Sequence, residues 1–108
     1  MISPPYNINM SKLVISEEAR SEQLADLAIA INEIVRLPVT MRGVKYPGVR
    51  VEDGKVVDGE YTGPVLEEAI RTAKPIRTIP ESGTFKGIPV SVAPVLQQGK
   101  AVAAIGIV

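Results

Sequence analysis

The apolar positions of this chain change their period as it proceeds, and each change marks an element. From Glu17 to Leu37 the residues Leu24, Leu27, Ala28, Ile31, Ile34 and Val35 recur at helical spacing, with Glu22, Asp26 and Glu33 off the stripe. That spacing predicts a long amphipathic helix whose apolar face enters the domain core. Ser16 is a suitable N-cap, Glu17 and Glu18 stand where the helix dipole favours negative charge, and Pro38 bars further winding.

Beyond Pro38 the pattern turns to strands. Val39 to Val44 is a candidate short strand, Tyr46-Pro47-Gly48 a turn, and Val49 to Glu52 and Lys55 to Val57 flank Asp53-Gly54. Asp-Gly between apolar runs predicts a hairpin, because a tight type I′ turn needs positive φ that these residues tolerate. A second, shorter helix opens at Thr62-Gly63-Pro64, with Thr62 or Gly63 capping and Pro64 pre-set for the first turn; Val65, Leu66, Ala69, Ile70 and Ala73 form its inner face, and Pro75 ends it. Ile76 to Ile79 reads as a short strand, Pro80 to Gly83 as a loop, and Phe85 to Val108 as two long apolar strands around a polar turn.

Strands that follow one another through short turns pair antiparallel. The expected fold is therefore α+β, with an antiparallel sheet of about five strands, a long N-terminal helix and a short second one. At 108 residues the chain is long enough for one core, expected over residues 16–108, with Ser3-Pro4-Pro5 and Asn7-Ile8-Asn9 making residues 1–15 a loosely held arm. Apolar residues are 45% of the chain but aromatics are three Tyr and one Phe, so the core is aliphatic and offers no stacking platform for single-stranded nucleic acid.

Twelve basic and twelve acidic residues cancel, which removes long-range attraction to nucleic acid or an anionic membrane. Their distribution is uneven. Residues 1–68 hold seven Lys or Arg against eleven Asp or Glu, whereas residues 69–108 hold five against Glu81 alone. Zero Cys and zero His exclude thiol nucleophiles, disulfides, Cys/His zinc sites and histidine acid–base chemistry. The carboxylates show no calcium-loop spacing, and Glu67-Glu68 point about 100° apart on a helix, so they cannot flank one bond. Neither a metal, a cofactor nor catalysis is expected, and without a leader or apolar span the expected location is cytoplasmic.

The order Gly87-Ile88-Pro89-Val90, Ala93-Pro94-Val95, a Gly-containing turn and Ala103-Ala104-Ile105-Gly106-Ile107-Val108 resembles the closing hairpin of PAS-like and Cache-like sensor domains. The segment from Asp58 to Val108 is similar to their second half, in which a helix covering the ligand cavity leads into three antiparallel strands. Gly63-Pro64-Val65, Glu67-Glu68-Ala69-Ile70, Lys74-Pro75-Ile76, Phe85-Lys86-Gly87-Ile88-Pro89-Val90 and Ala93-Pro94-Val95 also resemble an uncharacterised archaeal domain family typical of methanogens. The resemblance implies a sensory or regulatory domain for a small, carboxylated or phosphorylated metabolite. Sensor hairpins run on beyond the point where this chain ends, so signalling implies a partner protein.

The expected polar lining of such a pocket is Tyr61, Arg71, Arg77, Phe85, Lys86 and Ser91. The planar fork of an arginine suits a carboxylate or phosphate, and Ser91 is the hydroxyl within the strand Ile88 to Leu96. Small residues at Ala101, Ala103, Ala104 and Gly106 admit close approach, by a ligand or by one of the domain's own helices. The competing expectation is an assembly module without a ligand, a homodimer or part of a larger complex, resting on Lys100 to Val108 as an unprotected edge strand.

Overall fold

The computed structural model describes residues 13–108, and most of the expected N-terminal arm, residues 1–12, lies outside the described residues. The elements are helix α1 (Ser21–Val35), strands β1 (Val39–Gly43), β2 (Gly48–Glu52) and β3 (Lys55–Tyr61), helix α2 (Pro64–Thr72), and strands β4 (Ile76–Thr78), β5 (Val90–Gln97) and β6 (Lys100–Ile107). The strands form one sheet in the order β3-β2-β1-β6-β5-β4, with every neighbouring pair antiparallel. The α+β class and the two helices match the expectation, while among the described residues the sheet has six strands rather than about five. The strand that makes the sixth is β1, foreseen only as a candidate; it is fully buried, and its run Val39-Thr40-Met41-Arg42-Gly43 lacks the alternation of a half-exposed strand.

Helix α1 starts at Ser21, later than the expected Glu17. The reason is tertiary. The Glu17 carbonyl, which a longer helix would pair with the Ser21 N–H, instead accepts the N–H groups of Val44 and Lys45 at 3.0 and 2.9 Å. Ser16 does cap, but only a local turn, its hydroxyl accepting the Glu18 N–H at 3.3 Å. Gln23 supplies the cap of α1 itself by accepting the Arg20 N–H at 2.9 Å. At the other end Arg36 adopts a left-handed conformation (φ 60°), and the helix stops before Leu37. Helix α2 begins as expected, with Gly63 at the N-cap and Pro64 in the first turn.

Asp53 and Gly54 take φ of 53° and 77°, the paired left-handed values of the tight hairpin their sequence requires. Gln98 and Gly99 repeat this between β5 and β6, at 53° and 79°.

The two helices lie on opposite faces and cover different halves of the sheet. Val39 stands opposite Val51 and Ile107, and Met41 opposite Val49 and Ile105; these rows pack under α1 through Leu24 and Ala28. The intervening row, Arg50, Thr40, Gly106, Val92 and Ile76, belongs to the other face, where α2 brings Leu66 and Ala69 onto Val90, Val92 and Ala104. Thus α1 rests on β1–β3 and α2 on β5 and β6.

Strand β6 is central, between β1 and β5. This corrects the expectation of an exposed edge at Lys100 to Val108: Ala101, Val102, Ala103 and Ala104 are buried, and the edges are β3 and β4. The charge-poor sequence of β6 reflects pairing on both sides.

Candidate ligand cleft

The first turn of α2, the end of β3 and the irregular segment between β4 and β5 meet over β6. They enclose a cleft of about 20 Å³ whose floor is Leu66, Val90, Val92 and Gly106. That is room for about one water-sized group. A Cβ at Gly106 would lie 2.7 Å from Thr40 Oγ1, 3.1 Å from Val92 Cγ2 and 3.5 Å from Leu66 Cδ2. The close approach permitted by small residues in β6 is therefore taken up by the domain's own helix and neighbouring strands.

Tyr61 and Phe85 form the polar and aromatic side of the cleft. Tyr61 ends β3 with 5% of its surface exposed, its ring 6.3 Å from that of Phe85 at an interplanar angle of 54°. Gly63 is needed beside it, since a Cβ there would lie 2.8 Å from the phenol oxygen. Burial pushes the Tyr61 phenol above its ordinary value of 10.0, against the opposing influence of the Arg50 guanidinium and the Thr84 hydroxyl. Arg50 stands on the same sheet face, its guanidinium carbon 6.0 Å from the Phe85 ring centre and one terminal nitrogen paired with Glu52 at 2.6 Å. Its buried Nε has no hydrogen-bond partner among the described residues.

The six residues expected to line a pocket divide. Tyr61 and Phe85 come together in the cleft. Lys86 follows Phe85 but is exposed, and Arg71 is exposed in the last turn of α2, where a cation complements the helix dipole. Arg77 and Ser91 stand opposite each other on β4 and β5, in the row that continues to Ile107 and Val39. That row is on the α1 face, so both point away from the cleft. Thr40, Arg50, Ser82 and Thr84 are the polar groups that sequence reasoning passed over; nothing in their local pattern separates them from surface residues.

A buried polar residue elsewhere was legible. Asn32 continues the spacing of Leu24 and Ala28 and is 5% exposed. It borders a hollow of about 340 Å³ between the end of α1 and the β2–β3 turn, lined by Glu33, Arg36, Glu52 and Asp53. Both its amide groups are engaged by backbone, at Gly54 and Leu37, so its role there is structural. Among the described residues no helix is long and apolar enough to cross a membrane.

No solved structure matches this chain. An uncharacterised protein of Methanocaldococcus jannaschii is 41% identical over 97 residues, covering 89% of this chain and 74% of that protein. The family model for uncharacterised proteins conserved in archaea, DUF2111, matches residues 31–108, which span everything from the last third of α1 to the end of β6. The chain belongs to this archaeal DUF2111 family.

Proposed function

We propose that this chain is a cytoplasmic small-molecule-binding regulatory domain of PAS-like or Cache-like character that takes a carboxylated or phosphorylated metabolite in the α2 cleft and catalyses nothing. The observation that carries the reading is the construction of the cleft's cover. Residues 79–89 contribute Pro80, Ser82, Thr84 and Phe85 to the lining, and their backbone bonds close on themselves: Gly87 N–H to Pro80 at 2.9 Å, Lys86 N–H to Gly83 at 3.2 Å and Ile88 N–H to Phe85 at 3.0 Å. A segment bonded internally moves as a unit, without breaking sheet pairing.

Displacing that segment enlarges a space that in its closed form is far below the several hundred Å³ of ordinary ligand pockets. It also uncovers Tyr61 and the first-turn N–H groups of α2, which favour an anion. Arg50, whose guanidinium carbon stands 6.0 Å from the Phe85 ring centre and whose Nε has no partner among the described residues, replaces Arg71 and Arg77 as the arginine to test. The passage from α2 into antiparallel β4, β5 and β6 is consistent with the sensor resemblance.

Native mass spectrometry of gently purified protein, compared with the denatured mass, is the test. A retained small anion that disappears in Phe85→Ala and Arg50→Ala supports the reading. A bare chain whose melting temperature is unmoved by a panel of mono- and dicarboxylates and organic phosphates refutes it.

A further inference from the structure

We infer that the part of the sheet that the described residues leave open on the α1 face is the interface through which two copies of this chain form a two-fold dimer, α1 of each copy lying over β4 and β5 of the other. Helix α1 reaches β6 only at its margin, through Ile105 and Ile107. The next positions outward on that face are Ala93 opposite Ile105, Ser91 opposite Ile107 and Arg77 opposite Ser91, and all three are exposed. A sheet floor this flat beside a helix is a groove with one wall.

The wall is apolar. Ser21 of α1 lies 3.7 Å from where a Gly59 Cβ would stand, and Asn32 and Glu33 reach Gly54, so one flank of the helix leans on β3 and its turn. Helical geometry turns Leu27, Ile31 and Ile34 to the opposite flank, toward β6. Ile34 is 79% exposed there. From Gln23 through Leu27, Ala30, Ile31 and Ile34 this side of α1 carries no charge.

A second copy fits this groove on three counts. Among the described residues the open floor is β4 and β5, since Ala101 and Ala103 of β6 are buried on this face; at the usual strand spacing it is about 10 Å across and admits one more helix of about 10 Å diameter. Each copy offers both an uncovered helix flank and an uncovered floor, the self-complementarity that a two-fold interface requires. Charges also match. Arg77 stands at the rim of the floor, and the exposed Glu22 and Asp26 lie on the outer surface of α1 that would cover it in the partner. Arg77 and Ser91, which the cleft does not use, find their place here.

Sedimentation equilibrium of the full chain between about 1 and 100 µM tests the inference, a range over which a specific dimer dissociates measurably. The expected mass is twice the 11.5 kDa of the chain. Ala93→Arg and Ile34→Arg each raise the dimer dissociation constant by at least about tenfold, as expected of central interface positions. Arg77→Glu weakens association and Asp26→Arg in the same chain restores it. Because the chain lacks cysteine, separately prepared Ile34→Cys and Ala93→Cys proteins, mixed and mildly oxidised, join as a heterodimer; this readout survives if the arginine variants unfold. A monomer throughout the range overturns the inference, as does a dimer indifferent to both arginine substitutions with no cross-link. A monomer in which removal of residues 1–12 accelerates thiol labelling of Ala93→Cys assigns the face to the chain's own N-terminal segment and equally overturns it.

Discussion

The side-chain oxygen of Asn32 accepts the N–H of Gly54 at 2.7 Å, and its amide nitrogen donates to the Leu37 carbonyl at 2.8 Å. One buried side chain thus ties the β2–β3 turn to α1 and satisfies a carbonyl just past the helix end. Elements separated by more than a turn of sheet are held in register by that amide.

Replacing Asn32 by Ala strands both backbone groups. We expect a loss of about 1–3 kcal/mol, the usual cost of leaving buried hydrogen-bonding groups unpaired. Urea denaturation measures it, and Asn32→Asp, which keeps the acceptor but not the donor, should fall between the two proteins at neutral pH.

Gly106→Ala is expected to destabilise by about 1–3 kcal/mol through overpacking, because the new methyl meets Thr40 Oγ1 at 2.7 Å and Val92 Cγ2 at 3.1 Å. Thr40→Ala removes the nearer atom. A double-mutant cycle by thermal or urea unfolding should therefore show the pair costing less than the sum of its parts.

The Tyr61 phenol titrates above its ordinary 10.0 because it is buried. Its folded-state value exceeds the unfolded one, so the folded protein holds this proton over a pH range in which the unfolded chain has released it. The resulting stability is complete below about pH 10 and is lost as pH rises through the folded value. Melting temperatures between pH 8 and 11 should fall more steeply for the wild type than for Tyr61→Phe.

Ala73 caps α2 in the left-handed region at φ 56°, a conformation that costs a residue with a Cβ about 1 kcal/mol. Ala73→Gly should raise stability by about 0.5 kcal/mol or less after the added unfolded-state freedom of glycine is deducted. Chemical denaturation with an unchanged m value would be the sign of a local effect.

Local signals carried most of the secondary structure. Asp53-Gly54 and Gly63-Pro64 act through φ preferences of the residues themselves, and the structure places a hairpin and a helix start at those positions. The start of α1 was not legible, because it depends on where the Glu17 carbonyl finds its donors, and Val44 and Lys45 are remote in sequence. Alternation along β5 already separates Ser91 from Val90 and Val92. Which of those faces α2 is settled by the pairing of β5 with β4 and β6, and so Tyr61 and Phe85 meet while Arg77 and Ser91 look the other way.

The sequence alone determined the α+β class, the antiparallel pairing, the two helices and the absence of thiol and imidazole chemistry, since each follows from residue types and short-range spacing. Tertiary structure decided that β1 and β6 lie side by side at the centre, that β6 is no edge, and that the space beneath α2 is nearly filled by Leu66. Pairing between the first and last strands is a long-range contact whose free energy depends on burying both faces at once, under α1 on one side and α2 on the other. No window of neighbouring residues contains that information.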